Sequence, residues 1–398
     1  MKMEKFENII VSIILTLLLI ANIFTYGIFS YVDEFVGVFS LLILVVILLK
    51  SKLKRSIAQL LSILMFLLFI GFLSNMLSGI PIPFLYILFD ALILSQPFLI
   101  FFAVSQLANK ATYFYIKKKY NKIAKLFIFI AFIFFILNTF NVVRLTTNYR
   151  WGIPEFRFIF GFPASFGFFI FTLLGIITDY EDCIYKQTFV LITMVLMLST
   201  LKFQALFQLF LFLGLLFFWH VRGEMTFNIK KLQIPVLISG LVVWPAITNY
   251  FFTTDFSPRR VLLTDSLQLM RDHFPLGAGF STFGSPIAAR IYSPIYAKLS
   301  YYNLHGLWPE GDFLNDNFVA SIIGQYGIIG MVTFTSLALL VLKRIIVYQK
   351  KSRSLVFSLS AYISLLAAMV GSSFFTGPPG ALAMAVIAIN NVTENLND

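Results

Sequence analysis

The residues that could do chemistry in this 398-residue chain gather in two loops. The larger follows Ser257-Pro258-Arg259-Arg260 and reads DSLQLMRDHFPLGAGFSTFG from Asp265 to Gly284. A turn through Gly277 and Gly279 has no Cβ atoms there, so backbone N–H groups can approach a ligand, and an anion favours such a cluster. Arg260 stands fifteen residues before Pro275, which opens that turn. Further on, Arg290 falls among Tyr292, Tyr296, Tyr301 and Tyr302. Such a strip suits the faces and hydroxyls of sugar rings, and equally suits an aromatic belt at a membrane surface. Asp316, before Asn317, either caps the helix that follows or acts as a base, with His305 and Glu310 as competitors for the second role. The smaller loop, RLTTNYRWGIPEFRFIFGF (144–162), holds Arg150 and Arg157. Asp90 lies inside an apolar run, where a carboxylate is costly, and is either functional or paired with a neighbour's Asn, Gln or Arg. His220, His273 and His305 share no ligand-like spacing, and Cys183 is the one cysteine, so neither a metal site nor a disulfide is expected.

The elements that must position these residues are membrane spans. The chain is 59% hydrophobic and 12% charged, with 48 Phe and a mean hydropathy of +0.88. Soluble domains carry roughly 25% charged residues, and a span takes about 20 apolar residues. The apolar runs predict an all-α polytopic protein with twelve spans: 8–30, 35–50, 57–78, 84–108, 126–143, 163–178, 187–199, 204–220, 232–252, 318–342, 355–375 and 379–391. Residues 1–252 thus hold nine spans and the loop at 144–162, residues 253–317 form the large loop, and 318–398 hold the last three spans. No small-residue cleavage site follows the first run, so it reads as a retained helix. Basic segments at 50–55, 110–125, 220–231 and 343–353 alternate with loops that balance acids and bases; only 179–186 is an acidic exception. By the positive-inside rule both termini are cytoplasmic and the two chemistry-bearing loops extracytoplasmic. The net charge of +12 is then a topology signal, and nucleic acid is not an expected partner.

Within the large loop the pattern predicts a short helix. Ser257 can cap it and Pro258 suits its first turn. Leu263, Leu267, Met270 and Phe274 recur on one face. Asp265, Arg271 and Asp272 lie opposite, and Pro275, Gly277 and Gly279 end it. Such a helix either lies at the outer interface, apolar side down, or packs on top of the protein. Gly324, Gly327 and Gly330 in the first turns of the next span permit close helix packing.

An Arg, then PLGAG and a Phe, a long loop, and Asp-Asn before GQYGIIG together resemble the O-antigen and capsular polysaccharide polymerase/ligase superfamily, of Wzy type. The segment 255–331 looks most like Gram-positive capsule and exopolysaccharide polymerases. The resemblance implies a GT-C-like, metal-independent and cofactor-free glycosyltransferase in the bacterial cytoplasmic membrane. It would join undecaprenyl-diphosphate-linked oligosaccharide repeats at the outer face. It further implies a flippase and a chain-length regulator of the same pathway as partners. Arg260 matches the family's arginine before the Gly turn, and Arg150 and Arg157 match by placement. With Arg290 they would hold the diphosphate, beside Gly277, Gly279, Tyr292 and Asn317. In the ligase branch a His precedes that Asn; here it is Asp316, which leaves Asp316 and then His305 as bases. A ligase and a secondary transporter or flippase for an anionic lipid-linked solute are the alternatives.

Overall fold

Apolar runs without interior turn residues form helices because each backbone group is then satisfied within its own segment, the condition for crossing lipid. The computed structural model describes residues 2–24, 27–50, 53–177, 186–222, 229–253, 256–349 and 354–392. Each of the twelve expected runs is centred on a helix: α1 (Lys2–Ile23), α2 (Val32–Lys50), α3 (Arg55–Ser78), α4 (Phe84–Leu107), α5 (Lys110–Thr139), α6 (Pro163–Ile177), α7 (Lys186–Ser199), α8 (Phe203–Arg222), α9 (Ile229–Thr248), α13 (Phe318–Gln349), α14 (Ser354–Ala368) and α15 (Pro378–Asn390). Seven of the helices are long and apolar enough to cross a membrane. Five others, α6, α7, α9, α14 and α15, offer shorter apolar stretches of 10–17 residues. The acidic segment 179–186 lies outside the described residues except for its last position.

Three expectations change. The stretch 110–125, read as a loop because of its lysines, is the first half of α5. Asn109 caps it by accepting from the Thr112 N–H (2.9 Å), and Ile116, Tyr120 and Ala124 bury one face. The chain is not wholly helical, since the smaller loop carries an antiparallel hairpin, β1 (Thr146–Arg150) and β2 (Ile153–Phe156). Its turn residues Trp151 and Gly152 both have positive φ, as a tight hairpin requires. The run 355–375 stops being helical at Ala368, leaving 369–377 as a loop.

The large loop holds α10 (Pro258–Asp272), the short helices α11 (Pro286–Ile291) and α12 (Pro294–Lys298), and a core of its own. Ser257 makes no side-chain cap bond to α10, which starts on Pro258 alone. The helix buries Leu262, Ser266 and Leu269 against α13, a face about 100° away from the stripe that hydropathy singled out. Tyr296 and Tyr301 do not line a surface strip. They stack at 5.3 Å with both side chains fully buried, and the Tyr301 hydroxyl donates to Asp265 Oδ2 (2.7 Å).

What joins loop to bundle is the buried, non-helical segment Gly277–Ser285, threaded between α3, α4 and α13. Its polar groups are met one by one. Asn75 of α3 clamps Phe280, accepting its N–H (2.8 Å) and donating to its carbonyl (3.0 Å). Asp90 accepts from the Ser281 N–H (2.5 Å) and the Ser285 hydroxyl (2.9 Å). Gln325 donates to the Phe283 carbonyl (2.7 Å), and the Tyr296 hydroxyl accepts from the Gly284 N–H (2.7 Å). The Ala278 and Gly279 N–H groups donate to the carbonyls of Gly324 and Gln325, 2.8 Å each. Those carbonyls are available because α13 breaks at Gly327 (φ 59°, ψ −157°). The break is sharp. Phe318 and Phe334 would stand about 24 Å apart along a straight helix, yet their rings meet at 6.0 Å. The glycines of α13 therefore admit this segment and fold the helix back, where helix packing was expected.

Gly279 has φ +94°, and a Cβ there would lie 2.5 Å from the Asn75 side chain. Gly279→Ala should destabilise the protein by roughly 1–3 kcal/mol, through overpacking and backbone strain. Gly240→Ala, where nothing lies within 4 Å, should leave the melting temperature in detergent unchanged or slightly raised.

Candidate functional site

Arg259, not Arg260, is the arginine brought to the loop's end. Its Nη2 donates to Asp316 Oδ2 at 2.6 Å, and its guanidinium lies 4.4 Å from the centre of the Tyr250 ring. Both side chains of the pair keep about a fifth of their surface exposed (21% and 23%). Arg259 projects here because it sits near the face of α10 that packs on α13, while Arg260 is turned about 100° away. Asn317 completes the join: its Nδ2 donates to the Arg259 carbonyl (3.2 Å) and its Oδ1 accepts from the Ala320 N–H (3.0 Å). Asn317 is therefore the cap of α13, which frees Asp316 from that task. Burial holds the Asp316 carboxyl above the ordinary carboxylate range, Arg259 pulls it back down, and Asp312 adds to the rise.

The pair sits low in the bundle. The Phe318 N–H donates to the Met369 carbonyl (2.9 Å), which ties the start of α13 to the loop between the short helices α14 and α15. In the same loop the Thr376 carbonyl accepts from Gln96 (2.5 Å). Gln96 lies about 18 Å along α4 from its end at Phe84. The longer α3 and α4 thus rise above this floor.

Across Gly371 the positive charge continues. A Cβ on Gly371 would sit 3.5 Å from Arg259 Nε and 3.8 Å from Gln204 Nε2. Just before Gln204, Lys202 pairs with Glu155 of β2 (2.7 Å), whose other oxygen accepts from Arg150 Nε (2.9 Å). Glu155 is 2% exposed, and Arg150 also lies over the Phe203 ring at 5.0 Å. Gln204 and Gly371 thus lie between the Arg150–Glu155–Lys202 group and the Arg259–Asp316 pair. Arg259 Nε is buried and has no hydrogen-bond partner among the described residues.

Other expected site residues lie elsewhere. Arg157 donates to the carbonyl of Gly161 (3.2 Å) and holds its own turn. Arg290 is exposed on α11, 5.6 Å from the Tyr31 ring. His305 is exposed against Trp308, and Glu310 is exposed beyond it; no described hydrogen bond or ion pair joins either to Asp316. Tyr292 packs on Tyr296 at the edge of the loop core, partly buried. Gly277 and Gly279 face Gln325 and Asn75, so closeness to protein backbone, and not to a ligand, requires glycine there. Asp90 is the anchor of Ser281 and Ser285. Sequence reasoning missed Arg259, Glu155 and Gln204. The hairpin signal Trp151-Gly152 could have placed Glu155 diagonally across from Arg150 on one face, since a two-residue turn pairs Arg150 with Ile153. No protein-family model matches the chain, and no curated protein does either. Among the described residues no group of three or more His, Cys, Asp or Glu could hold a metal ion.

If Asp316 acts as a base, activity should rise with pH as its carboxyl ionises, and that limb should lie above the ordinary carboxylate range. Arg259→Gln removes the cation that favours the charged form, so the limb should move to higher pH. A pH–rate profile with an unmoved limb would remove Asp316 from the role.

Proposed function

We propose that the chain is a membrane glycosyltransferase of the polysaccharide polymerase type. It joins undecaprenyl-diphosphate-linked oligosaccharide repeats at the outer face of the bacterial cytoplasmic membrane. The observation that carries this reading is the Arg259–Asp316 pair, set low in an apolar bundle and linked through Gly371 and Gln204 toward the Arg150–Glu155–Lys202 group. Three cations meet two carboxylates there, Glu155 and Asp316, and the remaining positive charge is costly in such surroundings unless an anion meets it. A diphosphate borne on a lipid is the anion a membrane enzyme of this kind would present.

In the reaction, the bond between sugar C1 and the diphosphate oxygen breaks and its electron pair stays on that oxygen. The acceptor hydroxyl forms the new bond to C1 and gives its proton to Asp316. Guanidinium groups suit the departing oxygen, being always charged and able to donate in a plane. Arg259 can divide its donors, with Nη2 on Asp316 and the exposed part of its guanidinium toward phosphate. The lipid tail would run between helices, and the donor and acceptor would both be lipid-borne. The twelvefold crossing, cytoplasmic termini and GT-C-like arrangement belong to this proposal, as do a flippase and a chain-length regulator as partners.

Asp33 favours a second reading. It is 2% exposed near the start of α2, held by Gln96 (2.9 Å), with its other oxygen unpartnered among the described residues. A buried carboxylate in a span is what a transporter would use.

Purified protein in vesicles, given lipid-diphosphate-linked oligosaccharide, should yield a ladder of longer products. Arg259→Ala should cut laddering at least about 100-fold, the scale for losing one transition-state donor, with the folded peak in size exclusion retained. Arg290→Ala should leave laddering within about twofold, since an exposed substitution outside the site has little effect. Movement of the lipid-linked donor with no new glycosidic bond would replace this proposal with the transporter. A single transfer to another acceptor would replace it with the ligase.

A further inference from the structure

The helix α10 has three sectors where a helix on a soluble surface has two. Leu262, Ser266 and Leu269 are packed against α13. Roughly 100° round lies a second apolar stripe, Leu263, Leu267 and Met270, continued one turn further by Phe274. Leu267 keeps 39% of its surface exposed and Phe274 keeps 71%. Thr264, Gln268, Arg271 and Asp272 fill the third sector and are exposed. Arg260 and Arg271 lie where the stripe meets the polar sector.

The end of α10 has a fixed depth. Leu276, just beyond it, pairs with Gly327, and the Ile329 N–H donates to the Pro275 carbonyl (3.5 Å). From Gly327 to Leu342, ahead of Lys343 and Arg344, α13 offers 16 residues, most of the roughly 20 that a bilayer core requires. Gly327 therefore lies in the outer part of the hydrocarbon on the side of the large loop, and Phe274 stands beside it. An apolar stripe at that depth, with Arg271 at its outer end, matches the acyl and headgroup layers of one leaflet. The apolar residues would enter the acyl layer and the Arg271 guanidinium would stay with the phosphates.

We infer that α10 is seated in the leaflet on the large-loop side of the bilayer, its occupant being phospholipid and its contact the stripe from Leu263 to Phe274. The inference rests on the membrane nature of the chain and not on the polymerase reading.

The test uses the full chain with Cys183 replaced by Ser, carrying L267C, F274C, T264C or Q268C in turn. Each variant is spin-labelled and reconstituted in phosphatidylethanolamine–phosphatidylglycerol vesicles. Labels at 267 and 274 should relax faster with oxygen than with a water-soluble nickel complex, and labels at 264 and 268 the reverse. Equal access of the nickel complex at all four sites would overturn the seating. So would shielding of 267 and 274 from both reagents with dipolar broadening between chains, which would make a second copy the occupant. No substrate enters the measurement, so its failure is distinct from an absent ladder.

Discussion

A stretch of backbone that is neither helix nor strand is buried here among membrane helices, and every group on it must find a partner. Water cannot serve at such a place, and an unmet N–H or carbonyl costs several kcal/mol. The run from Gly277 to Ser285 meets that demand with side chains drawn from three helices: Asn75, Asp90 and Gln325, with Tyr296 from the loop itself. The remaining need is supplied by breaking α13, whose freed carbonyls take the Ala278 and Gly279 N–H groups. Polar residues that look out of place in apolar helices thus become the binding surface for the chain's own loop.

The broken helix has a further effect on the site. Because α13 folds back at Gly327, its first turn descends to the Met369 carbonyl between the short helices α14 and α15. Asn317 caps that turn and at the same time grips the backbone of Arg259. Asp316 is carried to the guanidinium by the same geometry. The ion pair is partly exposed, so its direct contribution to stability is small. Its place is set by backbone contacts on either side, which leaves the two side chains available for chemistry.

Much of the bundle was legible because hydropathy reports burial in lipid directly. Where charge and helix coincide it failed: Lys-rich 110–125 is helical since Ile116, Tyr120 and Ala124 bury one face and the lysines remain at the margins. The loop's short helix was legible from Pro258 at its start and Pro275, Gly277 and Gly279 at its end, yet the roles of the loop's residues were not. Tyr296 and Tyr301 read equally well as surface or core, because an aromatic with a hydroxyl suits both. Arg259 and Arg260 are neighbours that differ only in which way they point, and that depends on the face of α10 that packs. The apolar stripe misidentified that face, since lipid and protein both select apolar residues. Asp90 was legible as exceptional, but its partner, 191 residues away in sequence, was not.

That separation bears on how the molecule is built. Asn75 waits for Phe280 across 205 residues of sequence. A ribosome feeding this chain into a membrane delivers α3 and α4 long before the first half of α13 exists. Until then the amide of Asn75 and the carboxylate of Asp90 must be hydrated or sheltered by other polar groups. The catalytic-looking end of the protein is consequently the last part to assemble, and a nascent chain stalled before Gly327 would possess a bundle and no site.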